Sequence, residues 1–214
     1  MNRCSSTDEV TYRTFQPSDI LPLSEILKKA WLQNDPLLPG DADCLATSYL
    51  CAILSSADWT CVAVYEDKPV GIICAHNHHR HTFHINYALK AAGCALSTCI
   101  HANSADDVSD YCKSEYMDAC MLKETHMQFD ACISLLAVNS NIKGHGIGGS
   151  LYRHFIEYME SAKLHSFYLF TDSYCDYSFY EHQGLKCIKK HGFLWRTGEH
   201  SETSEFYLYA NQRA

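Results

Sequence analysis

The residues best placed to do chemistry are Lys143-Gly144-His145-Gly146-Ile147-Gly148-Gly149, which join a buried apolar run to an amphipathic helix. At such a junction backbone N–H groups and the positive end of the helix dipole converge, and both favour an anion such as phosphate. Glycine suits the place because a side chain would hold the anion away from those amides. Gly144, Gly146 and Gly149 also satisfy GxGxxG, and Asp172 follows at the end of the next strand, so a dinucleotide-binding unit has to be weighed. Two facts count against it. Residues 139–143 separate the strand from the first glycine, a longer turn than that unit uses, and only 42 residues follow Asp172. A second cluster, His76-Asn77-His78-His79-Arg80-His81 with His84, invites a metal. Adjacent histidines point different ways, however, and no cysteine or carboxylate stands at a fixed offset. We therefore expect no physiological metal there, only adventitious nickel or zinc.

The elements around the glycines follow from hydrophobic periodicity. A strand over Val10–Phe15 precedes a helix over about Ile20–Trp31, and Pro36, Pro39 and Gly40 separate that helix from a second over about Asp43–Ser55. Thr60–Tyr65 and Pro69–Ala75 form a hairpin across Glu66-Asp67-Lys68. The block from Asn77 to Thr125 reads as two helices, about Ala88–Ile100 and Ala105–Lys123. A strand over Met127–Val138 then leads through the glycines to a helix over about Gly146–Ala162. The order closes with a strand Phe167–Thr171, a helix Tyr177–Gln183, and strands near Cys187–Leu194 and Glu205–Tyr209.

Two separated segments carry a resemblance. Lys143-Gly144-His145-Gly146-Ile147-Gly148 is similar to the Q/R-x-x-G-x-G/A motif with which GCN5-related N-acetyltransferases (GNAT) bind acetyl-CoA, lysine standing where Arg or Gln is usual. Phe179-Tyr180-Glu181-His182-Gln183-Gly184-Leu185 looks like the same family's F-Y-x-x-x-G-F segment, in the expected order and at the expected distance. The resemblance covers about Met127–Leu194. It implies an α/β (α+β) fold with a mixed, mostly antiparallel central sheet flanked by helices and splayed between its fourth and fifth strands. Here that domain would span residues 1–214 and carry a helical insertion at about 77–125.

The roles it implies are these. Backbone groups of Leu136 and Val138 pair with the pantetheine amides, and the Val138 N–H polarises the thioester carbonyl. Lys143, Gly144, His145, Gly146, Ile147, Gly148 and Gly149 hold the pyrophosphate. Ser173 stands where many members carry Asn against the pantetheine, and Asp176 replaces a common Ala. Tyr180 protonates the departing thiolate. Cys132 occupies the position of the histone-acetylating branch's catalytic Glu and is a poor base. Asp130, two residues earlier on the same strand face, takes that part, with His126 and Glu124 as weaker candidates.

Composition bounds the rest. With 214 residues, 47% hydrophobic and 20% charged, the chain can bury about 70% of its surface in one core without staples. A formal charge of −8 argues against sequence-independent nucleic-acid binding and slightly favours a cationic acceptor. The twelve cysteines show no pairing pattern and read as reduced, and no stretch is long and apolar enough for a membrane. We expect a cytoplasmic enzyme, monomer or homodimer, that moves the acetyl group of acetyl-CoA to a primary amine of a small molecule. The alternatives are a non-catalytic acyl-CoA-binding regulator and a protein N-terminal or lysine acetyltransferase. The insertion would line the acceptor pocket as a lid, with Tyr111, Glu115, Tyr116 and Asp118 near the acceptor, or else form a dimer interface.

Overall fold

A computed structural model describes residues 9–32, 39–100, 105–142, 145–197 and 200–211. Seven strands form one sheet in the order β1-β2-β3-β4-β5-β7-β6. They are β1 (Thr11–Arg13), β2 (Trp59–Tyr65), β3 (Lys68–Asn77), β4 (Ala131–Val138), β5 (Phe167–Asp172), β6 (Lys186–Thr197) and β7 (His200–Ala210). Every neighbouring pair is antiparallel except β4 and β5, which run parallel. The helices are α1 (Ile20–Trp31), α2 (Pro39–Ser56), α3 (Ile85–Ile100), α4 (Ala105–Thr125), α5 (Ile147–Ser161) and α6 (Ser178–His182). None of the described helices is long and apolar enough to cross a membrane.

The sheet is covered on both faces because its central strands are apolar on both. Leu23 and Leu27 of α1 and Leu45, Leu50 and Leu54 of α2 cover Val62, Ile72, Cys74, Leu135 and Ala137. On the other face Ile147, Leu151, Phe155 and Met159, spaced by four along α5, cover Ile73, Ala75, Ile133 and Leu169. The insertion divides its work. Helix α3 packs on α2, where Ser48 Oγ donates to the Ala91 carbonyl at 3.0 Å. Helix α4 lies over the second half of the sheet, with Met117, Met121 and Leu122 against Cys132, Tyr168, Phe206 and Leu208.

Boundaries differ from expectation where local geometry overrides pattern. Helix α2 begins at Pro39, because proline is tolerated in the first turn, where its missing N–H has no partner to lose. Met127–Val138 does not run as one strand. His126 takes a left-handed conformation (φ 54°) that ends α4, and β4 starts only at Ala131. The β2–β3 hairpin turns on Glu66 (φ 48°) and Asp67 (φ 59°), the paired positive angles of a tight two-residue turn. Strands β6 and β7 extend to Thr197 and back from His200, pairing along their length.

Candidate active site

The parallel ladder between β4 and β5 is short. It joins Ala131 to Phe167, Cys132 to Tyr168 and Ile133 to Leu169, and stops there. Along its other edge β4 stays paired with β3 as far as Val138 opposite Gly71. That approach is close: a Cβ on Gly71 would stand 3.1 Å from the Ala137 carbonyl oxygen. The β3 register skips from Cys74–Leu135 to Ala75–Ile133, which leaves Ser134 as an extra residue on β4. Such a bulge bends the strand and re-aims its backbone groups, and it sits where β4 leaves β5. The outcome is a cleft of about 140 Å³ between Ser134–Leu136 on β4 and Leu169–Asp172 on β5, closed by Trp31, Cys175 and Tyr180.

One end of β4 meets the glycine segment. Gly146 caps α5 in the left-handed region (φ 59°), and its carbonyl accepts from Ser150 N at 3.0 Å. Among the described residues a Cβ on Gly146 or Gly149 would meet nothing within 4 Å, so they leave the space in front of the helix start open. The N–H groups of the first turn of α5 therefore face room for an anion, beside the end of β4. His145 is exposed with its ring 5.1 Å from that of Tyr65. Lys143 and Gly144 lie outside the described residues, as does the side chain of Tyr111.

Tyr180 reaches the cleft from α6, beyond the turn that follows β5. Its ring rests on Phe179 and Tyr209, with centroids 5.4 and 6.1 Å away. Burial, reinforced by Cys175, Asp172 and Asp176, holds its phenol well above the ordinary tyrosine value, so it stays protonated. Cys175, also in the cleft wall, is pushed up to about 11 by burial and Asp172 and is no nucleophile at neutral pH. The thiol of Cys132 is buried and pushed up to about 12, as unfit to be a base as its residue type implies.

Asp130 is differently employed. His79 Nε2 lies 2.9 Å from its Oδ1, while Oδ2 accepts from His165 N at 2.7 Å, Ser166 N at 2.9 Å and Ser166 Oγ at 3.2 Å. These bonds, His79 first, hold the carboxyl far below the usual carboxylate range. A carboxylate so well satisfied has little appetite for a proton, and four residues of strand, about 13 Å, separate it from Ser134. The geometry makes Asp130 a clamp between the loop before β4 and the loop before β5. Ser173 is pinned to β7, accepting from Glu205 N at 3.2 Å and donating its own N–H to the Glu205 carbonyl at 2.9 Å. Glu124 pairs with Lys189 at 2.8 Å. The histidine run is likewise tied down. His76 Nδ1 lies 2.8 Å from the Ser56 carbonyl and 3.2 Å from Asp58, and His78 stacks on Tyr168 at 5.7 Å. Among the described residues no group of three or more His, Cys, Asp or Glu could hold a metal ion.

The structure thus brings together Leu136, Tyr180, Val138 at the strand end and the Gly146–Gly149 turn. It adds Ser134, Trp31 and Cys175, which the sequence did not single out. Ser134 had one signal, as the only polar residue in the run Ile133–Val138. Trp31 and Cys175 had none.

No protein-family model matches the sequence, and no curated protein matches it significantly. Solved structures do. The ribosomal-protein-S18-alanine N-acetyltransferase of Escherichia coli is 10% identical with a TM-score of 0.55, over 94% of this chain and 92% of that one. An acetyltransferase of the GNAT family from Streptococcus pneumoniae is 13% identical with a TM-score of 0.51, over 95% and 98%. PaiA N-acetyltransferase from Thermoplasma acidophilum, solved with coenzyme A, is 10% identical with a TM-score of 0.54, over 96% and 99%. At these identities the likeness speaks for architecture, and it extends over nearly the whole of each chain. With its seven-stranded mixed sheet, open between the parallel pair β4 and β5, the chain has the fold of the GNAT acetyltransferases.

Proposed function

We propose that the protein is an N-acetyltransferase that moves the acetyl group of acetyl-CoA to a primary amine of a small molecule. One observation carries the reading: among the described residues the edge of β4 from Ser134 to Val138 has no strand on its β5 side, and that open edge leads to the start of α5. A pantetheine arm, with its two amides, fits such an edge as an added strand would. Its pyrophosphate then meets the first-turn amides of α5. Because Val138 adjoins that turn, the thioester lies deeper along β4. We therefore assign the amide that polarises its carbonyl to Ser134–Leu136, beside Tyr180, and not to Val138.

The chemistry balances with few groups. The neutral amine attacks the thioester carbon, the C–S bond breaks, and the phenol of Tyr180 protonates the thiolate. The adduct nitrogen then gives up its extra proton, which restores the phenol. Fold-mates include an enzyme named for acting on a ribosomal protein, so the architecture leaves the acceptor open. What favours a small one is α4, whose packing over Cys132 and Tyr168 covers the sheet face beside the cleft. Incubation with acetyl-CoA and a panel of small amines and peptides tests this by release of free thiol. We expect release with small primary amines. Release with peptides alone would reassign the acceptor, and none with any amine would leave the regulator reading.

A further inference from the structure

Asp118 lies in the stretch of α4 that seats the helix on the sheet, one turn before Met121 and Leu122. Its Oδ1 is shut off from solvent and has no hydrogen-bond partner among the described residues. A shielded carboxylate oxygen with nothing to accept from is costly, and a ligand that donates a hydrogen bond to it would relieve that cost. The charges that reach it are of its own sign: Glu115 on α4, and Asp172, which walls the cleft at the end of β5. Cys132 of β4 and Tyr168 of β5 feel its charge and are neutral. On the strands beneath α4, Lys189 of β6 is paired with Glu124 at 2.8 Å and Lys190 with Glu205 of β7 at 2.7 Å. Cys132 shares its strand face with Ser134, so Asp118 stands beside the point where β4 leaves β5.

We propose that Asp118 binds the ammonium group of the acceptor and takes its proton, so that the acceptor is an aliphatic primary amine that arrives as a cation. This deepens the acetyl-transfer reading and rests on it. The step balances: the ammonium passes one proton to the Asp118 carboxylate, and the neutral amine so formed attacks the thioester. Asp118 keeps that proton after product leaves and gives it up to solvent when the next cation arrives. Burial, with Glu115 and Asp172, raises its carboxyl to about 8. That is closer to an alkylamine than any ordinary carboxylate, and a base matched to its acid transfers protons more readily. Near neutral pH the empty site is then mostly protonated, and an arriving cation expels the proton.

Three measurements on Asp118→Asn test this. In the first, 1,4-diaminobutane is titrated calorimetrically into the CoA-bound protein at pH 7, in buffers of different ionisation enthalpy. Wild type should release close to one proton per amine bound; the variant should release none and bind about tenfold or more weakly. In the second, acetyl-CoA turnover with the same amine should fall roughly 100-fold or more in the variant. Its melting temperature should not fall. The carboxyl sits above its unfolded value, so wild type loses stability as pH rises from about 4 to about 8, and asparagine removes that loss. At pH 8 the variant should melt at or above wild type, which a structural role would not produce. Equal proton release or equal turnover in the variant overturns the proposal while acetyl transfer stands. If wild type binds no alkylammonium, the acceptor class is wrong. If it releases no thiol with any amine, the acetyl-transfer reading fails and takes this proposal with it.

Discussion

Tyr180→Phe should turn over acetyl-CoA about 10- to 1,000-fold more slowly than wild type and bind it equally well, because loss of a positioned proton donor costs on the order of 10²-fold or more. The ring is retained, so its packing on Phe179 and Tyr209 is unchanged. Only the hydroxyl is lost. Its high proton affinity, set first by burial in the cleft wall, keeps the donor loaded through the physiological range. The rate defect should therefore appear in kcat and persist from pH 6 to pH 9. A variant that matches wild type would show that solvent or another group reprotonates the thiolate.

Gly146→Glu should weaken acetyl-CoA binding by about 100-fold or more and leave the protein folded. The left-handed backbone at φ 59° costs a non-glycine residue about 1–2 kcal/mol. A carboxylate at a helix N-terminus returns up to about 1 kcal/mol, so the fold tolerates the change. The same carboxylate would project into the open space in front of α5 and repel the pyrophosphate there. Calorimetry with acetyl-CoA and a melting curve check the two halves separately. Unchanged affinity would move the pyrophosphate away from this turn.

What the sequence made legible was local or motif-borne. The stripes of α1 and α5 and the hairpin at Glu66-Asp67 are written within a few residues, and the structure has them. The opening between β4 and β5 was legible only through the resemblance, since Ile133–Val138 reads as an ordinary buried strand. The bulge at Ser134 is set by pairing with β3, about 60 residues away in the chain. Asp130 shows the same limit. Its type and strand face suggested a base, but its partners His79, His165 and Ser166 come from distant segments and satisfy it. The insertion was legible as two amphipathic helices, whose targets were not. Met121, almost fully buried on the sheet, makes α4 a fixed part of the core. Excising Arg80–Glu124 would therefore strip the cover from Tyr168, Phe206 and Leu208, so substitution at Asp118 is the cleaner probe of acceptor choice.

Coenzyme A belongs between two strands of this sheet. A crystal structure of the protein with CoA tests that placement most directly. The pantetheine arm should lie between Ser134–Val138 and Leu169–Asp172, with its sulfur beside Tyr180 and its pyrophosphate at the Gly146–Gly149 turn. Coenzyme A bound elsewhere, for example in the larger hollow of about 330 Å³ that Leu21, Glu25, Asp43 and Thr47 line between α1 and α2, with β4 and β5 left apart and empty, would contradict it.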